Sequence, residues 1–582
     1  MAQPSGGPYG PLNQIYPIPE GVRLIHVAPD GDPQSDGDQL THPTTIENAI
    51  AMATTGDAIL LRGGLYRTGS LRFNQGILLQ PYGSEQPVFT GTLPAADWTL
   101  QGDQHWVTTW KHLFPAAPAD WWRAERHVDT TPLHRFNYDM VFADGRRLVS
   151  AGSVDEVDAN SYFIDYAAGR VYIGLDPEQH AIEITAHDSA MVRTLRRVHG
   201  RDNDGKGPTI RGITFTRYAR LALLVEGIEP QQPMDPSDFG KDIVGTTLEH
   251  LTISHCSRVA GYFRGDGFTM RHCRVEDCGT EGIYVINSAN VLLERNVVTR
   301  TNSHAPIRGY YASAIKIFNQ SHHVVVRDNL IIDNPHASGI WYDVGNRHGL
   351  IVNNWVERTN DGFFFEISEG AICARNVFVD CRPGVRLLNS ADVAVVQNTF
   401  VNSAIEVNRS LRSSEAGDHF GWHASAGPSV ADRDRHQVQN NLMFSDRVMS
   451  AGFIQVREQE GVESIARQPQ LAQLDGNLYA SVAVPTPLWT WGRSGYPAPE
   501  PSEVIGSLHD LQSAYPEFER HGRAEFLQGQ TLLRSVSLKR MQPRAGASGM
   551  DAGVRLADAL SNAAGLESSD PFPGAYVPVR KP

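Results

Sequence analysis

A short pattern of β-branched residues, an asparagine and a second apolar run recurs through the middle of the chain. Two examples are V-V-V-R-D-N-L-I, which ends at Ile331, and L-I-V-N-N-W-V, which ends at Val356. A period of about 20–25 residues with short β-rich runs is typical of a parallel β-helix, in which each repeat forms one coil. The asparagines are expected to stack from coil to coil in one turn, where their amides hydrogen-bond to one another. They are Asn296, Asn329, Asn354, Asn376 and Asn398, separated by 33, 25, 22 and 22 residues.

A second strand of each coil follows a small residue and shows which side chains face outward. These strands read G-I-Y-V-I, A-I-K-I-F, G-I-W-Y-D, G-F-F-F-E, G-V-R-L-L and A-I-E-V-N. Side chains of a strand alternate between its two faces. The first and third residues after the small one are aliphatic or Phe everywhere except at Tyr342, so they are predicted to point into the core. The second and fourth residues then form two outward columns: Tyr284, Lys316, Trp341, Phe364, Arg386 and Glu406 in one, and Ile286, Phe318, Asp343, Glu366, Leu388 and Asn408 in the other.

The repeat predicts an all-β protein built on a right-handed parallel β-helix, a solenoid like that of the pectate lyases. An amphipathic segment at 46–53 is predicted to be a short capping helix. A Trp-rich segment interrupts the pattern and contains a hairpin signal at 162–176, which indicates an inserted antiparallel β-sandwich with its Trp residues in the core. The predicted organisation is N-terminal coils (20–94), the inserted β-sandwich domain (95–190), the main β-helix with the site (191–455), and C-terminal coils with a wrapping segment (456–582).

Two coils are interrupted by extra residues. The chain needs 18 residues to pass from Asn296 to Ala314, where other coils use 8 or 10, and a longer insertion spans residues 409–435. Loops on a rigid scaffold often carry specificity. The loop at 302–311 and this insertion are therefore expected to border the site, with candidate substrate contacts at His304, Arg308, Tyr310 and Tyr311.

Composition and charge indicate which kinds of molecule the protein could bind. The net charge is −14 and is spread along the chain, which argues against nucleic acid, because a phosphate-binding surface needs clustered Lys and Arg. No apolar stretch approaches the roughly 18–20 residues that cross a membrane. No secretory signal is visible at the start, so the chain is either cytoplasmic, or secreted or periplasmic after a leader was trimmed. The five cysteines are expected to be buried free thiols. No cofactor motif is present, no metal is predicted, and the oligomeric state stays open.

Asp343 and Glu366 occupy the same outward position in consecutive coils. Because neighbouring strands lie about 4.8 Å apart, the two carboxyls are expected about 5 Å from each other. That separation matches the roughly 5–5.5 Å of retaining glycosidases, in which one carboxylate attacks the anomeric carbon and the other protonates the leaving oxygen. The aromatic neighbours Trp341 and Phe364 should raise a carboxyl pKa, as a general acid requires. The residues by themselves leave the two roles interchangeable, and a surface lattice of ion pairs with Lys316, Arg386 and Glu406 is the structural alternative.

The runs G-I-W-Y-D-V at 339–344 and N-D-G-F-F-F-E-I-S-E-G-A at 360–371 resemble the β-helix glycosidases of glycoside hydrolase family 120. The resemblance extends to the layout, with an early β-helix segment, an inserted β-sandwich and a long helix. It implies a retaining β-xylosidase that releases xylose from xylo-oligosaccharides, with Asp343 as nucleophile and Glu366 as acid/base. Candidate substrate contacts on the outward columns are Trp341, Lys316, Arg386, Phe364 and Glu406.

Three other functions stay open. A polysaccharide lyase acting on a uronate polymer could use Lys316 and Arg386 to neutralise the sugar carboxylate. A β-helix glycosidase could act on another sugar, such as fucose or galactose. A non-catalytic module could bind an oligosaccharide on the outward aromatic column.

Overall fold

The computed structural model describes residues 6–102, 104–112, 132–228, 240–303, 312–417, 426–449, 451–482, 486–493, 503–538, 540–566 and 571–577, together with single residues at 232, 235 and 238. Within these residues the chain winds as a right-handed parallel β-helix, as the repeat predicts. Three sheets run along it, and we name them A, B and C in the order in which the chain visits them within a coil. In one coil, for example, Ser338–Asp343 lies in sheet A, Arg347–Val352 in sheet B and Trp355–Thr359 in sheet C.

Sheet A contains the strands of the two outward columns. Its final strand is antiparallel to its neighbour, whereas the others pair in parallel. Its strands are Leu71–Phe73, Ser189–Arg193, Leu221–Val225, Val259–Phe263, Glu281–Ile286, Ser313–Phe318, Ser338–Asp343, Phe363–Glu366, Val385–Leu388, Ile405–Arg409, Ile454–Glu458, Trp489–Arg493 and Glu503–Ile505.

Sheets B and C complete the coils. Sheet B consists of Leu24–Val27, Ala58–Leu61, Leu78–Pro81, Thr209–Arg211, Thr247–Glu249, Thr269–Arg271, Ala289–Glu294, His322–Arg327, Arg347–Val352, Glu369–Ala374, Ala391–Val396, His436–Gln439 and Leu471–Asp475. Sheet C consists of Gly64–Arg67, Pro87–Thr90, Thr214–Thr216, Thr252–Ser254, Arg274–Glu276, Val297–Thr299, Leu330–Asn334, Trp355–Thr359, Val377–Val379, Thr399–Val401, Leu442–Ser445, Leu478–Ser481 and Arg523–Phe526.

The inward side chains of sheet A form the core, as the alternation predicts. All twelve predicted inward residues belong to one buried cluster that runs along the helix axis. Tyr342, the one polar member, is fully buried, and its hydroxyl donates to the carbonyl of Val324 at 3.0 Å. A buried hydroxyl costs little when it is hydrogen-bonded, so this coil accepts a tyrosine among aliphatic neighbours.

In two coils the small residue at the start of the sheet A strand has to be glycine, because the next coil approaches closely. A Cβ added to Gly339 would lie 2.6 Å from the carbonyl oxygen of Gly362, and one added to Gly362 would lie 2.4 Å from that of Gly384. Contacts this short do not occur for real Cβ atoms, so a side chain is excluded at these two positions.

The asparagines stack in the turn between sheets B and C. After Asn296, the Oδ1 atom of each one accepts hydrogen bonds from the backbone N and the Nδ2 of the asparagine in the preceding coil, at 2.8–3.1 Å. The ladder continues past the predicted members through Asn441 and Asn477. It ends at Glu519, whose carboxylate accepts from the Nδ2 of Asn477 at 2.6 Å. A carboxylate suits this end because every amide donor in the ladder points towards it.

Between residues 92 and 185 the described residues form two further sheets beside the first coils. One consists of Thr92–Pro94, Val141–Ala143, Arg146–Arg147 and Ile182–Thr185, and the other of Thr99–Gln101, His105–Thr109, Val149–Ser150, Ser161–Asp165 and Arg170–Ile173. The strands of both sheets pair antiparallel, except that Val149–Ser150 pairs in parallel with Ser161–Asp165. Trp98, Trp106 and Trp110 pack in the apolar cluster of this segment. The boundaries of the predicted domains stay predictions.

Short helices lie at both ends of the chain. The predicted capping helix is Ile46–Met52, with the Thr45 hydroxyl accepting from the N–H of Asn48. The others are Leu508–Ala514 and Asp558–Ala563, with single 3-10 turns at Leu133–Phe136, Val154–Glu156, Val430–Asp432 and Val462–Ser464. None of the helices in the described residues is long and apolar enough to cross a membrane. All five cysteines are buried and unpaired, as expected.

Removing one amide from the ladder should destabilise the helix. In an Asn376→Ala variant the buried backbone N–H of Asn354 loses its acceptor, so we expect a loss of about 2–4 kcal/mol in the free energy of unfolding. Urea unfolding followed by circular dichroism measures it. Asn160→Ala is the control, since Asn160 is exposed and its side chain makes no hydrogen bond within the described residues. Equal losses in the two variants would contradict a structural role for the ladder.

The end of the ladder should make stability depend on pH. Burial raises the pKa of Glu519 to about 7, although bonds from Tyr479 and Asn477 oppose the rise. A carboxyl with a raised pKa in the folded state stabilises it at low pH, and this contribution is lost as pH rises through about 7. Between pH 5 and 7 we expect wild type to lose about 1 kcal/mol per pH unit relative to Glu519→Gln. Unfolding titrations of both proteins measure the difference, and exposed Glu517→Gln should show no such trend.

Candidate active site

The two outward columns of sheet A are in register from coil to coil, as the sequence predicts. Lys316, Trp341 and Phe364 are successive Cα partners in one column, and Phe318, Asp343 and Glu366 in the other. Asp343 and Glu366 therefore lie side by side on adjacent parallel strands, which are spaced by about 4.8 Å.

Asp343 is held by a buried lysine. Lys316, one coil earlier in the other column, places its Nζ 2.7 Å from Oδ2 of Asp343. The same Nζ lies 2.8 Å from the ring centroid of Trp341, a cation–π contact that is strong away from water. Burial lowers the pKa of Lys316, and the Asp343 carboxylate opposes this. The ion pair holds the Asp343 side chain in place beside the Trp341 ring.

Glu366 lies in a different environment. Only 7% of its surface is exposed, and the nearest cation is Arg412, whose Nη1 lies 3.2 Å from Oε1. Burial raises the pKa of Glu366 well above its usual range, the Asp343 carboxylate adds to the rise, and Arg412 opposes it. Two carboxyls on adjacent strands thus have different surroundings, and the raised pKa of Glu366 is what a general acid requires.

The faces of Trp341 and Phe364, two of the candidate substrate contacts, are covered by other side chains. Trp341 stacks on Phe364, with ring centroids 5.2 Å apart and an angle of 11° between the ring planes. Arg386, from the coil after Phe364, places its guanidinium 4.8 Å from the Phe364 centroid. Lys316 covers the other side of Trp341. Flat stacking of a sugar on these two rings is therefore blocked, and any substrate contact by Trp341 or Phe364 is restricted to ring edges.

Arg386 and Glu406 extend the site towards the following coils. The Nη1 of Arg386 lies 3.6 Å from Oδ1 of Asp361, and its Nε lies 3.7 Å from Oε1 of Glu406. Asp361 is fully buried and accepts from the hydroxyl of Ser338 at 2.8 Å. Burial raises the pKa of Asp361, and Arg386 opposes that rise. Whether Arg386 and Glu406 contact substrate stays a prediction.

Backbone strain lies directly after both carboxyls. Val344 and Ile367 have φ of 63° and 47°, in the left-handed region that β-branched residues rarely adopt. Such a residue costs about 1–3 kcal/mol and persists only where its surroundings hold it. In the neighbouring coils asparagine, which tolerates this region, occupies the same turn, at Asn287, Asn319 and Asn389.

The 409–435 insertion reaches the site through Arg412. Near its other end, Gly427 packs against Ile367, next to Glu366. The predicted contacts His304, Arg308, Tyr310 and Tyr311 lie outside the described residues. No group of three or more His, Cys, Asp or Glu side chains in the described part of the chain could hold a metal ion.

Sequence reasoning missed three charged residues near the pair. Asp361 and Glu281 directly precede the small residues Gly362 and Gly282, so the repeat itself marks their position as a signal for charges beside the outward columns. Glu281 is buried and adds to the negative charge around Lys316. Arg412 lies in an insertion of unknown path, so no periodicity could have assigned its contact.

Comparison with known proteins supports the fold. A family profile described as "Right handed beta helix region" matches residues 240–405, and no curated protein sequence matches the chain. A solved structure described as "The complex structure of XylC with xylose" has a TM-score of 0.56 and 14% identity, covering 78% of this chain and 83% of that one. "Glycoside hydrolase" scores 0.41 at 12% identity, covering 81% and 96%, and "Crystal structure of pectate lyase Pel9A" scores 0.36 at 10%, covering 96% and 98%. The similarity to XylC shows a shared β-helix fold.

Removing the buried ammonium should destabilise the site in a pH-dependent way. Lys316→Met keeps most of the side-chain volume but leaves Asp343 and Glu366 without the cation between coils. We expect a loss of about 3–5 kcal/mol at pH 8, because a buried charge then has no partner. The loss should be smaller at pH 5, since protonation relieves the repulsion between the carboxyls. Urea unfolding at both pH values measures it, with the exposed Lys241→Met as control. A loss independent of pH would show that Lys316 acts through packing alone.

Proposed function

We propose that this protein is a retaining glycoside hydrolase with Asp343 as nucleophile and Glu366 as acid/base. The proposal rests on one observation: two carboxyls in register on adjacent strands, one paired with a buried lysine and the other buried with a raised pKa. Adjacent strands bring the carboxyls to about the 5–5.5 Å of retaining enzymes, whereas inverting enzymes need roughly 6.5–9.5 Å to admit a water molecule.

The geometry supports a two-step reaction. An oxygen of Asp343 attacks the anomeric carbon, and the bond to the leaving oxygen breaks as that oxygen takes the proton of Glu366. Because Oδ2 is held by Lys316, we assign the attack to Oδ1. Glu366, now a carboxylate, then takes a proton from water, whose oxygen displaces Asp343 from the anomeric carbon. Two inversions restore the original configuration.

We propose xylose as the sugar and xylo-oligosaccharides as the substrate. The support is the resemblance of the two motifs to glycoside hydrolase family 120, together with the shared fold of XylC, whose solved structure is described as a complex with xylose. A panel of nitrophenyl glycosides tests this choice directly. Release of nitrophenol from another glycoside, such as the fucoside or galactoside, and not from the β-xyloside would contradict xylose as the sugar. It would leave the proposed mechanism unchanged.

A lyase is less well supported by the charges at the site. A lyase needs a cation directed at the substrate carboxylate, yet Lys316 contacts Asp343, Arg412 contacts Glu366, and Arg386 lies near Asp361 and Glu406. Absorbance near 235 nm on a uronate polymer would mark lyase activity, and binding without turnover would mark a non-catalytic module.

Substitution of the two carboxyls should separate their roles. Asp343→Ala should abolish turnover of every substrate, because no other group forms the covalent bond. Glu366→Ala should impair activated aryl glycosides least, since their leaving groups need little protonation, and azide should partly restore deglycosylation. Steady-state kinetics measure both effects. Glu369→Gln is the matched control, because Glu369 lies three residues further along and pairs with Arg435 instead.

The anomer of the first product decides the mechanism. Proton NMR of a running reaction should show retained configuration. An initially inverted product, or an Asp343→Ala enzyme with near-normal turnover, would overturn the assignment.

A further inference from the structure

Arg433 is a buried arginine in the insertion that the proposed reaction does not use. It is 2% exposed, although it lies in a segment that leaves the coil. Its guanidinium donates to the carbonyls of Ser410 and Arg412, each at 2.6 Å, and to that of Pro428 at 3.3 Å. One side chain thus joins the outgoing leg of the insertion, residues 410–412, to the returning leg, residues 428–433.

The same guanidinium ties the insertion to the coil that follows Glu366. Its Nη1 donates to Oδ1 of Asn389 at 3.0 Å, and that oxygen also accepts from the backbone N of Ser410 at 2.7 Å. Asn389 directly follows Leu388, the Cα partner of Glu366 in the next strand. The anchor of the insertion is therefore one strand away from the proposed acid/base.

A close backbone contact fixes the returning leg from the other side. A Cβ added to Gly427 would lie 2.2 Å from Cγ2 of Ile367 and 2.7 Å from its carbonyl oxygen. Ile367 is the strained residue directly after Glu366. The returning leg is thus held against the turn that ends the Glu366 strand, and the outgoing leg is bonded to Asn389 in the next coil.

This arrangement explains how a half-exposed arginine can hold Glu366. The Arg412 side chain is 45% exposed, and an ion pair of that kind contributes little when both partners must be ordered. Arg433 orders the backbone of Arg412 through the bond to its carbonyl, so less entropy is lost when the Arg412 side chain contacts Glu366.

We propose that Arg433 is a positioning residue that clamps the two described legs of the insertion, residues 409–417 and 426–435, and so holds Arg412 against Glu366. The inference rests on the proposed role of Glu366 as acid/base and extends it to the residue that sets its electrostatic environment. The other charged groups that act on Glu366 are Asp343, Lys316 and Arg386, all from sheet A. Arg412 is the one contribution from the insertion among these groups.

Titration of Glu366 tests the clamp without requiring catalysis. The full chain is labelled with carboxyl carbon-13 in glutamate, and the Glu366 resonance is assigned by its loss in Glu366→Gln. We expect Arg412→Met to raise the apparent pKa by about half a unit or more, because a cation is removed. Arg433→Met should produce a shift in the same direction, and the double variant should match Arg412→Met alone, since both substitutions remove the same contact.

Other outcomes would overturn the clamp. An unchanged Glu366 titration in Arg433→Met, or shifts of the two single variants that add in the double variant, shows that Arg433 does not act through Arg412. Arg193→Met is the matched control: Arg193 is equally buried and makes four hydrogen bonds in the early coils, so its loss should leave Glu366 unchanged. If Arg433→Met does not fold, Gly427→Ala displaces the returning leg and should move the titration in the same direction.

Kinetics separate the clamp from the proposed function. The alkaline limb of kcat/KM on an aryl glycoside should move with the Glu366 resonance in both single variants. A chain that hydrolyses no glycoside but shows the coupled titration would refute the function and keep the clamp. A protein that hydrolyses a glycoside but whose Glu366 titration does not change in Arg433→Met would support the function and refute the clamp.

Discussion

Hydrogen bonding between consecutive coils sets the spacing on which the rest of the structure depends. Parallel strands repeat at about 4.8 Å, and the asparagine ladder keeps each turn in register with the next. Once the register is fixed, every outward column becomes a row of side chains at a constant interval. The separation of Asp343 and Glu366 follows from this interval and not from any local feature of either residue.

Different surroundings then distinguish two carboxyls that the backbone treats alike. The lysine that pairs with Asp343 comes from the preceding coil, and its ammonium is confined between the carboxylate and the Trp341 ring. Glu366 instead pairs with Arg412, a half-exposed arginine from an insertion. In the neighbouring column the Trp341 and Phe364 rings stack on each other, so only their edges could contact a bound sugar.

The insertion shows how a solenoid adds an irregular element to a regular surface. A coil offers no side chain above the outward columns, and only a segment that leaves the coil can approach a substrate from that side. Such a segment has to be fixed at its base. Here the attachment is provided by the Gly427 contact at Ile367, directly after Glu366, and by the bonds of Arg433 to Asn389 in the next coil and to Arg412.

The sequence by itself determined the β-helix, the inward and outward faces of sheet A, and the pairing of Asp343 with Glu366. It could do so because these features follow from a fixed repeat and the two-residue alternation of strands, as the burial of Tyr342 among aliphatic residues illustrates. Only the tertiary structure decided which carboxyl has the buried lysine, that Trp341 and Phe364 are covered on their faces, and that Arg412 reaches Glu366. The first two depend on side-chain rotamers between coils, and the third on the path of an aperiodic insertion. Side-chain rotamers and the path of an insertion leave no periodic signal, because periodicity records the backbone repeat and not the contacts that side chains make across it.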